Sequence, residues 1–229
     1  MNSTVSTPNT AQDVAALAEV WRSITATSCP LQYNFHMHSV FSDGQLAPEA
    51  IVDQAIAIGL KGFAITDHHT VKGYHAAQAY LQQKAAAGAE ALPHFWTGIE
   101  INGRLLETGV HILGYGFDPT HAAIQRYTKR EIQYGEHAMA AVVVEAIHQA
   151  GGAAVLAHPA RYRRPAADLI PAAADIGIDG VEAYYAYDNP EPWIPSPKRT
   201  PQIKVMGEAH NLLLTCGTDT HGLNLKQRL

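Results

Sequence analysis

Residues 34 to 44 read NFHMHSVFSDG, with His36 and His38 one residue apart and Asp43 followed by Gly44. In an extended chain, side chains two residues apart share a face, so the two imidazoles can turn towards one point. Asp43 reaches the same place only if SVFSDG folds back, a turn that Gly44 would ease. The chemistry on offer is cation binding; the ordinary alternative is a strand and turn that happen to contain histidine. The chain carries 13 histidines against 16 Lys plus Arg. Histidine titrates near neutrality and is the commonest metal ligand, so the positions of the others decide the matter.

Those positions follow a pattern. His36 and His38 end a short apolar run, QYNFHM, and Asp67 and His68 follow GFAIT. Glu100 lies late in FWTGIEI and His111 within GVHILGYGF, while His158 follows GAAVLA. Glu182 lies in DGVEAYY, and Asp219 and His221 follow NLLLTCGT. Taken singly, each has a plain explanation: a satisfied turn histidine, solvent-facing strand positions for Glu100 and Glu182, a turn Asp at 219 beside Gly222. Together they place acids and histidines in or beside apolar runs, where unpaired burial is costly, and several bound cations would supply the counter-charge. A ligand set of imidazole and carboxylate without thiolate suits Zn, Mn or Fe in an open catalytic site, not a closed structural zinc.

The elements that must position these groups are seven short strands, the runs just quoted. Helices fit between them at about 47–59, 73–88, 121–150, 165–176 and 200–210, with an amphipathic helix at about 12–25 carrying Val14, Leu17, Val20 and Trp21. Pro48 near a helix start and Gly59 near its end have the expected asymmetry. This alternation predicts βα units and a parallel sheet, whose C-terminal strand ends are where chemistry collects. Residues 188–201, DNPEPWIPSPKRTP, are too rich in proline for a regular strand and predict a long loop.

Composition narrows the classes. At 229 residues, 47% hydrophobic and 16% charged, the chain is globular and large enough for a substantial core. A formal charge of −5 argues against a wholly basic nucleic-acid-binding face but leaves room for a local phosphate site. Cys29 and Cys216 lack metal-type spacing and read as reduced, buried thiols. No leader-like start and no long apolar run occur, so the expectation is a soluble cytoplasmic protein with no membrane partner. No stable protein partner is inferable.

Seven segments, in order, resemble the PHP family, named for polymerase and histidinol phosphatase members: NFHMHSVFSDGQLAPEAIVDQA, GLKGFAITDHHT, GIEI, HILGYG, GGAAVLAHPARY, GVEAYY and GTDTHG. They cover about residues 33–222 and are similar to the small stand-alone phosphoesterases of the nucleotide phosphatase and 5'-3' exoribonuclease type. The resemblance implies an α/β fold, a distorted (β/α)7 TIM-like barrel with an extra N-terminal helix. Residues 1–30 would form an N-terminal extension and helix, and 31–229 the PHP domain. It also implies three divalent ions (Mn, Zn or Fe): one on His36, His38, Glu100 and Asp219, a second on Asp43, His68 and His221, and a third on His111 and His158 with Glu100 bridging. Ions about 3.5–4 Å apart can share a hydroxide and clamp the entering and leaving oxygens of a phosphoryl transfer.

Asp219, His221 and Arg161 are the expected catalytic residues, Arg161 binding the substrate phosphate through its planar guanidinium. Asp67 is expected either to orient a ligand or to cap a helix, and His69, where relatives usually carry an acid, either to be an extra ligand or to be exposed. Tyr184, Tyr185, Tyr187 and Trp193 are read as packing rather than base stacking. Many nucleotide-hydrolysing relatives insert a helical cap where this chain has room for about one helix, 121–150, which predicts a more open site. Relatives often continue past the last motif, so the final barrel helix is expected to be absent or replaced by the N-terminal one. The leading expected activity is hydrolysis of nucleotide phosphate monoesters, AMP or 3',5'-bisphosphate. The alternatives are a 5'-3' exonuclease on short RNA or DNA, a histidinol-phosphate phosphatase and a non-catalytic metal-binding regulatory module.

Overall fold

The computed structural model describes residues 10–229, so the polar start of the chain through residue 9 lies outside the described residues. The first helix, α1 (Val14–Ser23), is capped by Asp13, whose carboxylate accepts from the Ala16 N–H at 2.9 Å. Its apolar stripe buries Leu17 and Trp21. Trp21 meets Phe35 and Tyr115 edge-on, with centroids 6.1 and 5.3 Å apart, and α1 packs against the last strand. The helix is therefore seated in the main core.

Strands β1 (Tyr33–Asn34), β2 (Gly62–Ala64) and β3 (His94–Trp96) form a parallel sheet, joined through α2 (Pro48–Ile58) and α3 (Lys72–Ala86). Pro48 opens α2 and Gly59 closes it at φ 80°. The second sheet runs β4 (Gly98–Leu105), β5 (Thr108–Tyr115), β6 (Ala153–Leu156), β7 (Gly180–Tyr184) and β8 (Leu213–Cys216). Helices α4 (Ala140–Gln149), α5 (Ala166–Asp175) and α6 (Arg199–Ala209) precede β6, β7 and β8. One core of apolar side chains fills the space around this sheet and α1, and a smaller one lies between the first sheet, α2 and α3.

Three expectations are corrected. The run FWTGIEI is two strands, split at Thr97 between the sheets. The sheet is not all parallel: β4–β5 and β5–β6 pair antiparallel, because Leu106 and Glu107 take positive φ (48° and 58°) and turn the chain straight back as a hairpin. The long helix over 121–150 does not form; only α4 and short 3-10 turns at Gln125–Tyr127 and Gly135–Ala138 do. Gly135 at φ 59° and an extended Met139 interrupt it, and the Arg130 N–H donates to the His69 carbonyl at 2.6 Å, drawing this stretch across the strand ends.

Isolated bridges link the sheets, Met37 beyond β1 to Thr220 beyond β8 and His68 beyond β2 to Glu100 in β4, with the Phe35 N–H donating to the Cys216 carbonyl at 3.2 Å. The architecture is a mixed α/β fold with parallel strands in two sheets, and the ladders do not close into one ring.

Candidate metal centre

Beyond β1 the chain stays extended, and its two-residue period places Asn34, His36 and His38 on one face while Phe35 and Met37 enter the cores behind it. Asn34 clamps the facing turn: its amide donates to Thr218 Oγ1 at 2.8 Å and its carbonyl oxygen accepts from the Thr218 N–H at 3.0 Å. The Asp219 N–H donates to the His36 carbonyl (2.8 Å) and the His38 N–H to the Thr220 carbonyl (3.0 Å). These bonds bring Asp219, at φ 55°, onto the two histidines. Gly217 permits the approach, since a Cβ there would lie 2.2 Å from His36 Cβ.

Asp43 arrives by the return turn. The Val40 N–H donates to Leu46 O at 2.9 Å, and a Cβ on Gly44 would lie 2.1 Å from the His38 carbonyl oxygen. Asp67 holds this turn, accepting from the Ser39 N–H (2.7 Å), Ser39 Oγ (2.7 Å) and Ser42 Oγ (2.8 Å). It does not cap α3, where Val71 occupies the N-cap; its bonds go to the turn that carries Asp43. His69 is not exposed: it is buried at φ 53°, with Nε2 3.0 Å from Asn102 Oδ1.

Glu100 lies at the centre, 1% exposed. Its Oε2 is 2.9 Å from His36 Nε2, 3.0 Å from His38 Nε2 and 3.6 Å from His68 Nε2. Its Oε1 is 2.6 Å from His111 Nδ1 and 3.4 Å from His158 Nε2. Asp219 Oδ1 lies 3.4 and 3.2 Å from His36 and His38. Asp43 Oδ2 lies 3.2 Å from His221 Nε2 and 3.8 Å from His68 Nε2, although half the Asp43 side chain is exposed.

Among the described residues, the possible ligand atoms fall into four overlapping groups, within each of which they lie no more than 4.8 Å apart. These are His36, His38, Glu100 and Asp219; His38, Asp43, His68 and His221; His68, Glu100 and His111; and His36, His158 and Glu182. Ligands about 2.1 Å from one ion stand up to about 4.2 Å apart, and the acid-to-imidazole distances within the first two groups, 2.9 to 3.8 Å, fall inside that span. His38 belongs to both, Nε2 facing Glu100 and Asp219 and Nδ1 facing Asp43 at 3.5 Å. His111 and His158 both face Glu100 Oε1 but fall into different groups.

A direct test of fit comes from the hydrogen bonds that are not made. His38 Nε2, His111 Nδ1 and Glu100 Oε1, which face one another across the cluster, are buried with no hydrogen-bond partner. His111 Nδ1 and Glu100 Oε1 are close enough for a strong bond yet are not aligned for one. Buried polar atoms left in that condition are costly, and a shared cation would satisfy several at once. The donors fit divalent metal ions.

Electrostatics agree. Burial opposes the charged form of His36, but Glu100, Glu182 and Asp219 outweigh it and hold its pKa well above the usual histidine value. His38 is raised to about 9: burial opposes its charge, but the nearby Asp219 and Glu100 carboxylates outweigh it. Burial also opposes ionisation of Glu100 and Asp219, yet His36 and its neighbouring imidazoles hold both carboxyls well below their usual range. His68 is lowered to about 4, chiefly by burial, and burial likewise lowers His158. Asp43 is lowered despite burial, by His221, His38 and His68. Anionic acids thus face histidines that are partly cationic and partly neutral, and incoming metal would displace the protons of the former.

Around this cluster, Glu182 is fully buried: Oε1 holds His36 Nδ1 at 2.9 Å and Oε2 accepts from the His158 N–H at 2.9 Å. The solvent-facing alternative for Glu182 is thereby excluded, and a carboxylate behind a histidine fixes its tautomer and aim. Arg161 Nη1 donates to Asp219 Oδ2 at 2.8 Å, which places Arg161 at the cluster. The same oxygen accepts from Tyr185 Oη (2.7 Å) and from Arg228 Nε (2.8 Å). Tyr184, Tyr185 and Trp193 are buried. Tyr187 accepts the Ala160 N–H at 3.2 Å and carries Arg199 over its ring at 5.0 Å. Arg228 escaped the sequence reading, and no motif marks it.

The profile of the PHP domain family matches residues 34–189. A 5'-3' exoribonuclease of Haemophilus influenzae is 33% identical over 143 residues, covering 57% of this chain and 50% of the relative. A 3',5'-nucleoside bisphosphate phosphatase of Chromobacterium violaceum is 35% identical over 91 residues, covering 40% of this chain and 30% of the relative. The chain thus spans half or less of these two curated relatives. Among solved structures, a candidate metal-dependent phosphoesterase from Bifidobacterium adolescentis shares the fold, with TM-score 0.68 at 23% identity, covering 84% of this chain and 89% of that one.

Proposed function

The chain belongs to the PHP domain family, and on that footing we propose that it is a metal-dependent phosphoesterase that hydrolyses phosphate monoesters of nucleotides, of the AMP or 3',5'-bisphosphate type. The observation that carries this reading is Glu100, a buried carboxylate with three imidazoles on one oxygen and two on the other. That arrangement supports a bridging ligand in a centre of three divalent ions (Mn, Zn or Fe). The sets are those the family resemblance implies: His36, His38, Glu100 and Asp219; Asp43, His68 and His221; and His111 and His158 with Glu100. The proposal includes a distorted (β/α)7 barrel as the parent architecture and a division into an N-terminal extension (1–30) and a PHP domain (31–229).

Divalent ions, when bound, supply Lewis acidity and make water nucleophilic near neutral pH. The chain's own groups do the rest. Glu182 holds His36 Nδ1, leaving Nε2 to face Glu100 and Asp219. Asp67 fixes the turn that carries Asp43. Arg161, reaching the cluster from the 3-10 turn Pro159–Arg161, presents a guanidinium to the incoming phosphate and neutralises charge that builds on its oxygens.

A second reading, 5'-3' exonuclease activity on short RNA or DNA, is favoured by one feature: residues 118–139 cross the strand ends as loop and short 3-10 turns, without a helical cap. Phosphate and nucleotide release from AMP, a 3',5'-bisphosphate and a 5'-phosphorylated oligonucleotide separates the two. Turnover of the small esters alone supports the first, and release of mononucleotides from the oligomer supports the second. Inactivity of the metal-loaded protein on all three would remove both.

A further inference from the structure

Asp219 is 2% exposed, and its two oxygens have different tasks. Oδ1 faces His36 and His38; Oδ2 collects Arg161, Arg228 and the Tyr185 hydroxyl, at 2.8, 2.8 and 2.7 Å. Two guanidiniums on one carboxylate oxygen are more than a single buried charge requires, and the two are held differently. The Arg161 side chain is 39% exposed at the open face, whereas that of Arg228 is 18% exposed.

Arg228 belongs to a segment tied down independently of its side chain. Gln54 holds it at two points, donating to Leu223 O (2.9 Å) and accepting from the Leu225 N–H (3.0 Å). Asn34 donates to Leu225 O (3.2 Å), Thr220 Oγ1 to Gln227 O (2.8 Å) and the His221 N–H to Arg228 O (2.6 Å), while the Leu225 side chain is fully buried. The segment thus has anchors of its own besides the guanidinium, which is delivered to the one oxygen of Asp219 that points away from the imidazoles.

We propose that Arg228 is a positioning residue for Asp219, keeping its carboxylate aimed at the cation site while Arg161 leaves Asp219 to take the substrate phosphate. The division of labour rests on the phosphoesterase reading. A phosphate drawing Arg161 away removes one charge-assisted bond from Oδ2, and Arg228 and Tyr185 keep the buried carboxylate paired and oriented. Without Arg228, substrate binding and retention of Asp219 geometry would compete for one guanidinium.

The test reads Mn(II) binding to chelator-stripped protein by calorimetry, with KM for AMP as a second readout. Arg228→Gln is expected to weaken Mn(II) binding about 10- to 100-fold, the range for groups that orient a metal ligand. Arg228→Lys, keeping the charge but losing the Nε–H, is expected to weaken it about threefold to tenfold. Gln54→Ala loosens the same segment without touching Asp219 and is expected to bind Mn(II) as the unaltered chain does. Arg161→Gln is expected to raise KM about tenfold or more while Mn(II) binding changes less than in Arg228→Gln. Mn(II) binding by Arg228→Gln equal to that of the unaltered chain would overturn the proposal, as would an equal loss in Gln54→Ala. If Arg228→Gln does not fold, undiminished binding by Arg228→Lys overturns it. A metal-replete unaltered protein that releases no phosphate would defeat the phosphoesterase reading instead, leaving the Mn(II) comparison to judge Arg228 alone.

Discussion

At the scale of single residues, the site is a balance between buried acids and the cations that face them. Glu100→Gln keeps shape and removes the charge that five imidazoles share. Lewis-acid stabilisation is worth several kcal/mol, so turnover should fall by more than about 100-fold, with metal content per chain falling in parallel; unchanged metal content would show that Glu100 is not a ligand. Histidine protonation supplies a pH prediction. With His38 raised to about 9, the stripped protein carries a proton there at pH 7 that a metal must displace. Metal affinity should therefore climb between about pH 7 and 9 and level off above, with proton release visible as buffer-dependent heats. The same shift bears on stability: the His38 contribution is complete below about pH 6.5 and is lost as pH rises through about 9, so the stripped protein should melt lower at pH 9 than at pH 6.5. His36, His38, Glu100 and Asp219 were legible as polar groups stranded in or beside apolar runs, which single sequences display, whereas Asp43 was marked by the family's SDG motif. Arg228 was not legible, since its role depends on a chain reversal held by Gln54 and Asn34, and neither contact leaves a local pattern.

At the scale of elements, the strands and most helices follow from periodicity, and the exceptions have local causes. The β4–β5 hairpin turns on Leu106 and Glu107, a non-glycine pair at positive φ where an Asn-Gly or Asp-Gly signal would have announced it. The stretch 121–139 has helical composition, but Gly135, the extended Met139 and the bond from Arg130 N–H to His69 O bend it across the site. Burial of α1 is the larger consequence. Trp21 is fully buried against Phe35, the neighbour of His36, so Trp21→Ala should cost about 3–5 kcal/mol of stability. Thermal or urea unfolding measures this, and a cost under about 1 kcal/mol would mean that α1 does not support the sheet that carries the histidines.

At the scale of the whole molecule, two sheets meet at bridges that place the strand ends together, so candidate ligands from residues 36 to 221 converge although they lie far apart in sequence. Among the described residues no helix is long and apolar enough to cross a membrane. Metal that binds only the folded chain must stabilise it: at a free concentration of 100 times Kd the gain is about 2.7 kcal/mol, readable as a rise in Tm on adding Mn(II) to stripped protein. The direct measurement is phosphate release from AMP and a 3',5'-bisphosphate by one preparation, first stripped with chelator and then reloaded with Mn(II). The predicted result is no release from the stripped protein and restored release on reloading. Release that persists after complete stripping, or none from protein shown to have rebound its metal, would contradict a metal-dependent phosphoesterase.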